Sequence, residues 1–151
     1  MEQQRLLFQP PAQSDWVPIV LTGLLGGEAT DARGKMFPQA HIVLSGGEVV
    51  PMDYHFGCGW RLVMDSDLQL AGGIRGLVLV PIGPHGFAET DATIESWMRE
   101  HECHAVLLRP DHCVYGTATT WQSLLALVDE WKSTMRRKSG HVPRRSAGVA
   151  R

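Results

Sequence analysis

Three groups of side chains in this sequence are of types that could do chemistry. The stretch LLRPDHCVYG, residues 107 to 116, sets Arg109, Asp111, His112 and Cys113 close together, the residue types of an acid/base or thiol site. His101, Cys103 and His104 lie just before it, so five potential metal ligands fall between residues 101 and 113. Cys58 stands apart in FGCGW, where flanking glycines leave it accessible and Arg61 follows closely enough to be a thiolate partner.

The spacing of these residues favours structural roles. A zinc site brings a CxxC or HxxxH pair to face one point. Here His101 ends a helical pattern, His104 begins a strand and Cys113 alternates with buried positions, so no shared metal ion is expected. Asp111 and His112 are adjacent on a turn, where neighbouring side chains point to different sides. Pro110 fixes φ at the turn, Asp111 can accept backbone N–H bonds across it, and Arg109 can pair with a carboxylate at the strand end. No helix starts at Cys58, because WRLVM prefers a strand. A small buried thiol beside a tight turn is expected, and the alternative is a small thiol oxidoreductase using Cys58. No GxGxxG follows a strand and no GxxxxGK[ST] is present, so phosphate binding by such glycine loops has no support. The glycine pairs at 26-27, 46-47 and 72-73 read as turns.

The elements that must hold these residues follow from periodicity. HIVLS (41 to 45) and EVVPM (48 to 52) flank Gly46-Gly47 and predict a hairpin. DYHFGCG reads as irregular, and WRLVM (60 to 64) as a compact strand. DSDLQLAGG could form a helical turn or two. GLVLVPI (76 to 82) is nearly continuous in apolar residues, which predicts a central strand covered on both faces. Ile94, Trp97, Met98 and His101 recur at three and four residues and predict a helix. AVLLR (105 to 109) and CVYG (113 to 116) predict a second hairpin. A final helix is expected from about Thr119, with Gln122 completing a capping box and Trp121, Leu124, Leu125, Val128, Trp131 and Met135 directed to the core. This order predicts an α/β fold with a mixed sheet and a helix on at least one face.

Length and charge limit what the chain can do. Its 151 residues suit one domain with a sizeable core. The expected organisation is an extended N-terminal arm over 1–15, a domain over 16–137 and a disordered basic tail over 138–151. A formal net charge of -2 gives no support to a nucleic-acid or anionic-membrane partner. The basic cluster Arg136, Arg137, Lys138, Arg144 and Arg145 lacks interleaved aromatics and reads as a solvated tail. No apolar run approaches the roughly 20 residues that cross a bilayer, and no secretory h-region opens the chain. Three widely spaced cysteines without a CxxC fit reduced thiols in a cytoplasmic protein.

Three segments, in order, carry a family resemblance. Gly34 and Pro38 match a G-x-x-x-P segment. Asp53, Gly57, Gly59, Trp60 and Leu62 match a short acidic segment before G-x-G-[FW]-x-L. Arg109, Pro110, Asp111 and Val114 match an R-P-D turn before the last helix. Over residues 30 to 135 the chain resembles the C-terminal domain of class A FAD-dependent aromatic hydroxylases, the group with phenol hydroxylase and hydroxyphenylpropionate hydroxylases. It departs from that pattern at Pro51-Met52 and at Cys113. The resemblance implies a thioredoxin-like fold, a mixed sheet of four to five strands with flanking helices, without a CxxC at a helix start. It implies a non-catalytic accessory or dimerisation role beside a flavin-binding domain or subunit, with a homodimer or other oligomer as one form. FAD and NAD(P)H would then be handled by an upstream part of a flavoprotein monooxygenase, and Gly34, Pro38, Asp53, Gly57 and Gly59 would be structural. A small-molecule binding module, with its pocket between the sheet and residues 52 to 59, is a further alternative.

Overall fold

The computed structural model describes residues 24–140. The N-terminal arm over 1–15, the start of the expected domain to residue 23 and the tail from 141 lie outside the described residues. In chain order the elements are β1 (His41–Val43), β2 (Val49–Pro51), α1 (Met52–Phe56), β3 (Arg61–Asp65), β4 (Val78–Ile82), β5 (Ala88–Glu89), α2 (Thr93–Glu100), β6 (Ala105–Leu108), β7 (Val114–Ala118) and α3 (Trp121–Gly140).

A four-stranded mixed sheet with the order β4-β3-β6-β7 forms the centre. β3 runs parallel to β4, with Arg61 opposite Val78, and antiparallel to β6, with Leu62 opposite Leu107. β6 and β7 close the expected second hairpin, with a register shift at Leu107/Leu108. A parallel pair, a crossover through a helix to the far side of the first strand, a hairpin and a terminal helix are consistent with a thioredoxin-like core. The link from β3 to β4, residues 66 to 77, contains turns and no helix.

Alternation along β3 and β6 assigns the two faces. Val63, Val106 and Leu108 pack with Ile42, Ile94, Met98 and Phe37, beneath α2 and the small sheet. Leu62, Met64 and Leu107 pack with Tyr115, Leu124, Leu127 and Trp131, beneath α3. Both strands are therefore apolar between their ends, as burial on two faces requires. Of the two charged residues of β3, Asp65 is partly exposed at its end and Arg61 is buried at its start.

The structure corrects several expectations. The first hairpin joins its own three-stranded sheet, β2-β1-β5, rather than the main one, because β1 pairs with the two-residue β5 through Ile42–Glu89 and Val43–Ala88. GLVLVPI supplies an edge strand, not a central one. Pro81 lies within β4 and cannot donate to a ladder, which suits an edge. DYHFGCG is not irregular throughout: Met52–Phe56 form the short α1, closed by Gly57 at φ 77°, whose N–H donates to the Asp53 carbonyl at 2.9 Å. The cap of α3 is Thr120 with Ser123 rather than Thr119 with Gln122. The Ser123 N–H donates to Thr120 Oγ1 at 3.1 Å, and the Thr120 N–H to Ser123 Oγ at 2.9 Å. Trp121 and Leu125 are exposed, and Leu127 fills the core instead. α3 continues to Gly140, slightly past the expected start of the tail.

Gly26 and Gly116 allow a close approach rather than a turn. The Gly26 N–H donates to the Tyr115 carbonyl at 3.0 Å. A Cβ at Gly116 would stand 2.8 Å from the Gly26 carbonyl oxygen and 2.7 Å from Leu127 Cδ1. The segment from Leu24 to Gly27 thus lies directly over β7.

Candidate functional site

The three segments that carry the family resemblance converge on one buried ionic node. Arg61 is 1% exposed in the centre of the fold. Its Nη1 pairs with Asp53 Oδ1, its Nε donates to the Gly59 carbonyl at 3.3 Å, and its Nη2 lies 2.9 Å from His112 Nδ1. Gln39 Nε2 donates to the other Asp53 oxygen, and His112 Nδ1 is 3.4 Å from that oxygen. Elements from all over the chain position these groups. α1 carries Asp53, the start of β3 carries Arg61, and the β6–β7 turn carries His112. The 34–38 segment runs beside that turn, where the Gly34 N–H donates to the Val114 carbonyl at 2.9 Å and the Phe37 N–H to the His112 carbonyl at 3.0 Å.

The electrostatics of the node follow from its donors. A guanidinium can only donate, so His112 Nδ1 must accept and the imidazole is neutral. Its proton is on Nε2, a buried atom that meets no acceptor at full hydrogen-bond geometry among the described residues but has the Pro38 backbone nearby. Burial holds the His112 pKa below its ordinary value; Asp53 opposes this and Arg61 adds to it. One cation, one anion and one neutral ring therefore fill the space between the small sheet and β3. His112 takes this position at φ 68°, left-handed backbone that costs a non-glycine residue energy.

The other half of the same turn faces outward. Asp111 accepts from Arg109 Nη2 at 2.6 Å and from the Cys113 N–H at 3.2 Å. Arg109 Nη1 also donates to the Leu24 carbonyl at 3.3 Å, tying the turn to the incoming chain. Asp111 and His112 thus point to different surroundings and form no acid/base pair.

The remaining reactive types are dispersed. Cys58, expected as a buried thiol, is instead exposed, after the end of α1 and before β3. Cys103 and Cys113 are buried, and burial pushes the Cys103 thiol up to about 11 and raises Cys113 as well. Arg61 is committed to Asp53 and His112. His101 Nδ1 lies 3.3 Å from Asp31, holding that carboxyl below its ordinary value, and its ring rests on Trp97 at 4.2 Å. His104 is 3.9 Å from Asp65. The five candidate ligands between residues 101 and 113 therefore serve separate local contacts. Within residues 52 to 59, where the small-molecule alternative would place its pocket, Met52 is buried and Phe56 packs against the core, while Tyr54 is exposed. A cleft of about 440 Å³ lies instead beyond the ends of β3 and β4, lined by Asp65, Asp67, Glu95, Met98 and Cys103 among others. Its carboxylates have partners: Asp65 with His104, Asp67 with His85 at 3.9 Å, and Glu95 with Arg99 at 2.8 Å.

Sequence reasoning named Asp53 through the family pattern and missed Arg61, His112 and Gln39 as its partners. The available signal was Arg61 itself, since a guanidinium inside an otherwise apolar strand needs a carboxylate.

No family model matches the chain. Over 121 residues it is 28% identical to a probable NADH-specific resorcinol 4-hydroxylase of Rhodococcus jostii (strain RHA1), a match covering 70% of this chain and 23% of that protein. Among solved structures, the flavin-dependent monooxygenase PieE, in complex with FAD and substrate, superposes with a TM-score of 0.56 at 18% identity, over 80% of this chain and 25% of that one. Aklavinone-11 hydroxylase, in a ternary complex with FAD and aklavinone, superposes with a TM-score of 0.51 at 15% identity, over 74% and 25%. At these identities the structural likeness establishes the fold. The resemblance to aromatic hydroxylases read from the sequence thus meets a homologous segment in one such protein. The chain spans about a quarter of the length of these relatives.

Proposed function

We propose that the chain is a non-catalytic accessory module of an FAD-dependent aromatic-compound monooxygenase. It packs against a flavin-binding domain or subunit that handles FAD, NAD(P)H and the aromatic substrate. The observation that carries this reading is the homology to a segment, about a quarter, of an aromatic hydroxylase. The geometry supports it. The Arg61–Asp53–His112 node and the Arg109–Pro110–Asp111 turn spend their charges on holding segments together, and Gly34, Pro38, Gly57 and Gly59 shape the backbone around them. A cytoplasmic setting and self-association into a homodimer belong to the same reading. No helix among the described residues is long and apolar enough to cross a membrane.

The thiol oxidoreductase reading is less well served. Cys58 precedes β3, whereas a thioredoxin-type thiol would follow the first strand of the parallel pair at a helix start. The test is to purify the full chain and measure FAD binding, insulin-disulfide reduction and co-purification of a flavoprotein whose visible spectrum bleaches with NADH. The expected result is no flavin and no disulfide turnover by the chain alone, with a flavoprotein as stoichiometric partner. FAD bound by the isolated chain, or disulfide turnover lost in Cys58→Ser, overturns it.

A further inference from the structure

On the α3 side of the main sheet, opposite the node, a trough carries cations that have no carboxylate partner among the described residues. One lobe, of about 520 Å³, is lined by Ile74, Arg75, Trp131, Lys132, Met135 and Arg136, with Ser139 at its end. A second, of about 310 Å³, is lined by Leu24, Trp60, Met135 and Lys138 and by the Arg109–Pro110–Asp111 turn. Met135 belongs to both lobes, and Trp60 packs edge-on against Trp131 at 5.8 Å. The floor is therefore apolar and continuous from one lobe to the other.

Among the described residues, most other cations are engaged. Lys35, Arg99, Arg109 and the buried Arg61 each have a carboxylate within reach, and Arg33 donates to the Gly27 carbonyl at 3.2 Å. Arg75, Lys132 and Arg136 have no such carboxylate among the described residues. Cations in the last turn of a helix can be explained by the helix dipole alone. That account covers Arg137 and Lys138. It does not cover Arg75, which comes from the β3–β4 link, or Lys132, which lies two turns from the helix end. Like charges converging on an apolar floor repel one another unless an anion joins them.

We propose that this trough docks an acidic segment with interspersed apolar side chains, presented by the flavin-bearing chain or domain. The identity of that partner rests on the reading above; the chemistry of the segment rests on the trough. Two lobes joined at Met135 suit an extended peptide, whose apolar side chains enter the lobes while its carboxylates meet Arg75, Lys132 and Arg136. Depletion of charge at the floor and cations at the rim are the usual division of labour in an interface.

The experiment titrates the full chain with a short peptide alternating glutamate and leucine, following the indole N–H signals of Trp60 and Trp131 by NMR. Controls are the lysine–leucine and glutamate–serine peptides, benzoate and an oligothymidylate. The expected result is a saturable shift of both indole signals by the glutamate–leucine peptide, weakened by salt, with affinity about tenfold lower for glutamate–serine. Arg75→Glu combined with Arg136→Glu should transfer the preference to lysine–leucine. Arg75→Gln alone, a milder change, should weaken the glutamate–leucine peptide without moving the thermal midpoint. Absence of a shift, equal shifts from lysine–leucine, saturation by benzoate at the same concentration, or tighter binding of the oligothymidylate each overturns the proposal. The titration contains no flavoprotein. If the peptide binds and no flavoprotein partner is found, the trough stands and the monooxygenase reading falls; if a flavoprotein associates while the peptide does not bind, the reverse holds.

Discussion

Two arginine–aspartate pairs lie close together at the β6–β7 hairpin, and they differ in almost everything but chemistry. Arg109 and Asp111 are two residues apart on one turn, and the Asp111 side chain is half exposed. Arg61 and Asp53 come from separate elements, with the Arg61 side chain removed from water. Water solvates the outer pair if it opens, so its contribution rests on the backbone N–H that Asp111 also accepts. The inner pair has no such refuge. Taking a guanidinium out of water is repaid only while its partners stay in place. Of the two pairs, the inner one is therefore the more costly to break, beside the apolar core that joins the small sheet to the main sheet.

The comparison breaks most visibly at Asp53. Asp53→Ala leaves the Arg61 charge buried and unpaired and should cost about 3 to 5 kcal/mol, read as a large drop in the urea midpoint. A loss as small as that of a surface pair would show that water reaches the node. Asp111→Ala should cost less, about 1 to 2 kcal/mol, because what it loses is the bond to the Cys113 N–H and a solvated partner for Arg109; an unchanged midpoint would remove its role in the turn. Thr120→Ala, which removes one half of the α3 cap, should cost about 1 kcal/mol by thermal unfolding.

Acid sharpens the comparison further. His112 is held neutral in the fold, so the unfolded chain binds a proton more readily than the native one. Stability contributed by the neutral ring is present above the ordinary histidine value of 6.5 and is lost as pH falls through the lower folded value. Protonation would set a second cation against Arg61, with Asp53 as their shared anion and Asp111 more distant. Urea midpoints followed from neutral pH downward should fall more steeply for the native chain than for His112→Gln; parallel curves would mean that the ring is not the titrating group. The smallest effect belongs to the exposed Arg99–Glu95 pair on α2, where Arg99→Ala should cost no more than about 0.5 kcal/mol by the same assay.

What could be read from the sequence follows the same division. β1, β2, β3, β6 and β7, together with α2 and α3, were legible because alternation and the helical period act locally, over a few residues. β5 was not, since two residues carry no period and Ala88–Glu89 is a strand only because β1 lies beside it. The edge position of β4 was written in Pro81 but masked by the apolar run around it. At the site, the outer turn was legible because Arg109, Pro110 and Asp111 act within one loop. The inner node was not, because Asp53, Arg61 and His112 meet through folding alone, and only the family pattern singled out Asp53.

The helix-free link between β3 and β4 reaches beyond this fold's architecture. In a thiol oxidoreductase of thioredoxin-like fold, the positive end of a helix at that position holds the attacking sulfur as an anion. Here Asp65, Ser66 and Asp67 occupy that place and the chain turns away into loop, so cysteines grafted onto residues 66 and 67 would remain ordinary thiols beside two carboxylates. Thiol–disulfide chemistry could not be installed on this scaffold by changing side chains; an entire helical turn would have to be built first.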